Sequence, residues 1–169
     1  MTAEPPASAY DMGHKVETES LATFAILVDN EPGVLHRVVG LFAARGYNIE
    51  SLTVAATGDE EISRLSLVVY GDDAVVEQIV KQSRKLVDVI SIEELTTRQH
   101  VERELVVVRF AVAGLAWANS HARVLTSGGD GCVAEFSGHA DDVDEFLAQL
   151  ASRATVHDVA RSGLAALAS

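Results

Sequence analysis

Two hydrophobic periodicities alternate along residues 21–95 in an order that few folds can accommodate. Thr23-Phe24-Ala25-Ile26-Leu27-Val28 is nearly all apolar, as a strand covered on both faces must be. Leu35, Val38, Val39 and Phe42 then fall at i, i+3, i+4 and i+7, a single helical stripe. Pro32 suits the first turn of that helix, where its missing N–H costs nothing, and Gly46 supplies a stop. Residues 48–56 alternate, with Leu52, Val54 and Ala56 on a covered face and Ser51 and Thr53 on the other. A polar turn at 57–61 leads to a strand over 63–70, with Leu65, Leu67 and Val69 on one face. Gly71-Asp72-Asp73 breaks that strand and caps a second helix over 74–85, whose stripe is Val76, Ile79, Val80 and Ser83. A fourth strand follows at 87–95. Strand, helix, strand, strand, helix, strand is the split βαβ, ferredoxin-like order of an α+β domain.

The second half repeats this order loosely. Residues 97–103 are polar and charged, a linker between a first domain at 21–96 and a second at 104–169. Residues 104–112 are strand-like, and 114–121 leave room for only a stunted first helix. Arg123-Val124-Leu125 and residues 132–136 make short strands around the turn Ser127-Gly128-Gly129-Asp130-Gly131. Val143, Phe146, Leu147 and Leu150 form another helical stripe, and 155–160 is a final strand. Residues 1–20, with Pro5-Pro6 and small or charged neighbours, are expected to form a mobile tail.

Composition narrows the function. The formal net charge is −12, which repels nucleic-acid backbones and anionic lipid heads alike. The strands also lack the interleaved basic and aromatic residues of RNA-binding ferredoxin-like domains. No apolar run reaches membrane-spanning length. Cys132 is the single cysteine, so no internal disulfide forms, in keeping with the cytoplasm, and its apolar surroundings make it a core residue. The six histidines have no helical metal spacing, and neither a nucleophile elbow nor a phosphate loop is present. The acidic pairs Glu60-Glu61, Asp72-Asp73 and Asp141-Asp142 stand at turns and helix starts, where they cap and solvate. This residue chemistry disfavours an enzyme.

One segment invites a ligand. Asp29-Asn30-Glu31-Pro32-Gly33-Val34-Leu35 joins the first strand to the first helix. Backbone N–H groups at a helix N-terminus are unpaired and carry partial positive charge, so amides around Gly33, Val34 and Leu35 suit a carboxylate. Gly33 lets a ligand approach closely, and Asn30 offers both a donor and an acceptor. The same residues also make an ordinary tight turn and helix start. From the residues alone the two readings weigh equally.

A resemblance tips the balance. That segment, then Arg37 and Gly40-Leu41-Phe42, then Arg45-Gly46-Tyr47-Asn48-Ile49-Glu50-Ser51-Leu52-Thr53-Val54, resembles the regulatory small subunits of acetolactate synthase. The likeness continues through Lys85-Leu86-Val87-Asp88-Val89, His100-Val101-Glu102-Arg103-Glu104-Leu105 and Val159-Ala160-Arg161-Ser162-Gly163. It implies an N-terminal ACT domain that pairs in a homodimer, followed by a smaller ACT-like domain. It implies a branched-chain amino acid, chiefly valine, bound at the dimer interface. Asn30, Gly33, Val34 and Leu35 match the loop side of that site, and Asn48 and Ile49 the side supplied by the neighbouring chain. It also implies no catalytic centre or cofactor in this chain. Thiamine diphosphate, Mg and FAD are expected in the large catalytic subunit, whose activity the small subunit raises and places under feedback inhibition. A free-standing ACT sensor for another enzyme is the alternative. A ferredoxin-like acylphosphatase is disfavoured because its Gln-Gly-Val…Arg loop is missing.

Overall fold

Strand β1 (Ser20–Asp29) lies inside its sheet, as its apolar run requires, with neighbours on both edges. It pairs antiparallel with β3 (Ile62–Gly71) and with β4 (Val89–Glu94). β2 (Ile49–Ala56) adds to β3, giving the order β2-β3-β1-β4. The computed structural model describes residues 20–169; the tail expected at 1–20 lies outside the described residues except for Ser20, which opens β1.

Helices α1 (Val34–Ala43) and α2 (Asp73–Ser83) pack against one face of this sheet. Phe24, Ile26, Leu65, Leu67 and Val69 meet them and are fully buried. Each such side chain contributes about 1.5–3 kcal/mol by leaving water. The buried stripe of α1 is Val34, Val38 and Phe42, an i, i+4, i+8 ridge. Val38 and Phe42 are buried as expected, Val39 is half-buried, and Val34 takes the place expected for Leu35, which turns outward. On α2, Ile79 and Ser83 are buried as expected, and the Asp72 side chain accepts from Val75 N at 2.8 Å to cap the helix.

The second sheet holds β5 (His100–Phe110), β6 (Arg123–Gly128), β7 (Gly131–Gly138) and β8 (Val156–Ala168), in the order β6-β7-β5-β8. Counted along the chain, both sheets have the same ferredoxin-like order, two α+β units in one chain. α3 (Leu115–His121) has only seven residues after a single 3-10 turn, the stunted first helix of the second unit. α4 (Ala140–Ala151) buries Val143, Phe146 and Leu150 against Val106, Val108, Phe110, Ala134 and Cys132.

Two element expectations are corrected. The polar segment read as a linker through Arg103 is already strand from His100. β8 does not stop near Ala160 but continues to Ala168, pairing residues 164–168 with 100–104 as a two-stranded ribbon. The inner face of that ribbon carries Leu164 and Ala166 onto Ala25, Val68 and Leu95, on the side of the first sheet away from its helices. Ser51 and Thr53 of β2, expected on an uncovered face, are half-buried beneath β8.

Candidate functional site

The loop between β1 and α1 is held from three directions. Asn30 N donates to Glu61 O at 2.7 Å, and Asn30 Nδ2 donates to Glu60 O at 2.8 Å. Ser63 Oγ donates to Asn30 Oδ1 at 2.9 Å. The carboxamide therefore ties the loop to the β2–β3 turn, and it keeps one N–H and one lone pair for a ligand. Gly33 has φ 87°, a left-handed conformation that favours glycine. Val34 is 2% exposed and its side chain lies in the core, so only its backbone faces the loop. Leu35 is 42% exposed.

A charged group that sequence reasoning left without a role completes this corner. Arg37 Nε donates to Asp88 Oδ2 at 2.6 Å and Nη2 to Asp88 Oδ1 at 2.8 Å, a bidentate pair across α1 and the start of β4. Hydrogen bonding to Arg37 holds the Asp88 carboxyl below its ordinary range, and Asp88 holds the guanidinium above its own. Among the described residues Nη1 donates to nothing. It lies beside Gly33, 3.1 Å from where a Cβ there would stand. The Val34 amide is taken by Glu31 O at 3.3 Å, so a braced guanidinium and the first-turn amides of α1 beyond Val34 converge on one loop, an arrangement complementary to a carboxylate. The two partners are 51 residues apart, a separation no local spacing rule detects.

Asn48 and Ile49 are not brought to this corner within the chain. They follow the C-terminal end of α1, whose ten residues span about 15 Å. Asn48 is exposed and its Nδ2 donates to Glu50 Oε1, while Ile49 is half-buried against the first core.

A cleft of about 730 Å³ opens between the two units, with Glu50, Ser51, Glu104, Asp144 and Arg161 among its walls. Arg161 is spent on its neighbours. Nε and Nη2 donate to Glu104 at 2.9 and 2.6 Å, and Nη1 donates to Asp144 at 2.7 Å. Glu104 first, and Asp144 with it, raise the guanidinium's pKa. Among the described residues no three His, Cys, Asp or Glu side chains are grouped to hold a metal ion, and no helix is long and apolar enough to cross a membrane.

Comparison with known proteins adds the following. Residues 24–91 match the AHAS small subunit-like ACT domain. The acetolactate synthase isozyme 3 small subunit of Salmonella typhimurium is 41% identical over 152 residues, covering 85% of this chain and 92% of that protein. The probable acetolactate synthase small subunit of Archaeoglobus fulgidus is 41% identical over 152 residues, covering 86% and 94%. The crystal structure of the acetolactate synthase small subunit from Thermotoga maritima superposes with a TM-score of 0.79 at 30% identity, covering 89% of this chain and 98% of that one.

Proposed function

The chain belongs to the acetolactate synthase small-subunit family, and from that premise we propose that it is a non-catalytic subunit that activates a large thiamine-diphosphate-dependent subunit and makes it inhibitable by valine. Thiamine diphosphate, Mg and FAD belong to the large subunit in this reading, and the complex works in the cytoplasm on branched-chain amino-acid synthesis.

The observation that carries the effector reading is the Arg37–Asp88 brace beside Gly33. An amino acid needs a carboxylate partner, an ammonium partner and a pocket for its side chain. The α1 amides and Arg37 Nη1 serve the first, and the free lone pair on Asn30 Oδ1 serves the second. Leu35, exposed at the loop, forms one apolar wall for a branched side chain. Ile49 of a second copy supplies the other and Asn48 of that copy a polar contact, so the site is complete only in a homodimer. Valine then acts by binding one regulatory state better than another. The shift is limited to that affinity difference, typically about 1–3 kcal/mol.

The test is co-purification with the large catalytic subunit, followed by acetolactate formation with and without valine. The expected result is a complex whose added activity valine removes, and no acetolactate from pyruvate by the chain alone. Turnover by the isolated chain, or a complex indifferent to valine, overturns the reading.

A further inference from the structure

We propose that the seam between β2 and β8 transmits effector occupancy from the first unit to the second; this deepens the valine reading above and rests on it. Of the second-chain half of the effector site, Asn48 stands directly before β2 and Ile49 opens it. The next residue, Glu50, is a bulge: pairing passes from Ile49↔Val69 to Ser51↔Val68. A bulge adds local twist and re-aims the side chains beside it. Glu50 also lines the cleft between the units and accepts from Asn48 Nδ2. An effector that recruits the Asn48 carboxamide competes with Glu50 for it.

Directly after the bulge, β2 grips the second unit. Leu164 N donates to Ser51 Oγ at 2.9 Å, and Thr53 Oγ1 donates to Ser162 O at 3.4 Å. One strand further in, Ala166 N donates to Ser66 Oγ at 2.9 Å. β8 is itself bulged at this point: Glu104↔Leu164 gives way to Val106↔Arg161, and Leu105 N donates to Ser162 Oγ at 3.0 Å. Gly163 has φ 78°, and a Cβ there would stand 2.8 Å from Ser51 Oγ and 3.0 Å from Thr53 Oγ1, so the strands approach this closely only at glycine. Two residues earlier, Arg161 clamps Glu104 of β5 and Asp144 of α4.

One continuous series of bonded groups thus runs from Asn48 through Glu50 and Ser51 to Leu164, and back along β8 through Gly163 to Arg161 and α4. Its joint is built to shift. β2 and β8 each carry a bulge beside the seam, side-chain hydroxyl bonds to backbone groups take the place of a strand ladder, and the buried apolar contact is a small cluster, Ala25, Val68, Leu95, Leu164 and Ala166, with Ala140 packed against it. A joint of that kind moves more readily than the two closely packed cores on either side of it. By reciprocity, loosening the seam also alters valine affinity.

The experiment is hydrogen exchange on the full chain with and without saturating valine, with calorimetry on the same sample. Valine is expected to change exchange at the Leu105, Leu164 and Ala166 amides and in α4 by about twofold to tenfold. Ser51→Ala, and independently Ser66→Ala, still bind valine, with an altered affinity, and lose the change in α4. Valine bound with exchange unaltered at these amides overturns the seam alone, as does a full α4 response in both variants. Absence of valine binding overturns the effector reading, and the seam with it.

Discussion

The two units share a strand order and differ at one corner, the passage from first strand to first helix. In the first unit that passage is open: Gly33 is left-handed, Arg37 stands braced by Asp88, and a ten-residue helix points its first-turn amides, Val34's excepted, at the loop. In the second unit it is shut. Gly114 has φ −84°, an ordinary value, and it is glycine for lack of space, since a Cβ would stand 2.9 Å from Ala154 Cβ and 3.0 Å from Leu150 Cδ1 and Phe110 Cδ2. The helix after it has seven residues. One topology therefore supports an open loop, the proposed effector cradle, in one half and a packed corner in the other, because function lies in the loop chemistry and not in the fold. The second unit invests its charged residues elsewhere, in the Arg161–Glu104–Asp144 cluster at the cleft.

The contrast breaks first at Arg37. Arg37→Met keeps the aliphatic stem and removes the charge; valine affinity is expected to fall about tenfold to a hundredfold by calorimetry. Undiminished affinity would take Arg37 out of the cradle. Gly114→Ala tests the other corner. Overpacking there is expected to cost about 1–3 kcal/mol in chemical denaturation while leaving valine affinity unchanged. A cost near zero would mean that the corner has room to relax. Asp72→Ala, which removes the α2 cap in the first unit, is expected to lose about 1 kcal/mol in the same assay.

The smallest effect is one of pH and belongs to the ribbon. The His100 ring accepts its largest influence from the Arg98 carbonyl and a further one from Glu102, both of which favour the protonated form and raise its pKa above the ordinary 6.5. Stability from a raised histidine is fully present below pH 6.5 and is lost as pH climbs through the folded-state value. The thermal midpoint should therefore drop slightly between pH 6 and pH 8 for the natural chain, and His100→Asn should flatten that slope. An identical slope in both proteins would remove His100 from the account.

How much of this the amino-acid order reveals depends on how local the cause is. β1 and β3 are plain because every residue of an inner strand must be apolar on at least one covered face, and Leu65, Leu67 and Val69 announce theirs. The α1 stripe is legible at Val38 and Phe42, but Val34 and Leu35 are both apolar and either one extends it, so the exposure of Leu35 is not. β8 beyond Ala160 is hidden, since Ser162-Gly163-Leu164-Ala165-Ala166 has weak strand propensity and becomes strand by pairing with residues 100–104. Asn30, Gly33 and Leu35 share the corner between β1 and α1, while the Val34 side chain belongs to the core. The tie from Asn30 to Glu60 and Ser63, and the brace from Arg37 to Asp88, are tertiary and leave no trace in spacing.

The central claim is that the open corner at Gly33 receives the carboxylate of valine, and Gly33→Asp tests it most directly. A side chain at φ 87° strains the backbone by about 1–2 kcal/mol, a cost aspartate bears better than most residues, so the chain should still fold. Its carboxylate would lie against Arg37 Nη1 and occupy the place proposed for the effector. Calorimetric titration with valine should give saturable binding to the natural chain and none to Gly33→Asp. Equal binding by both would contradict the account.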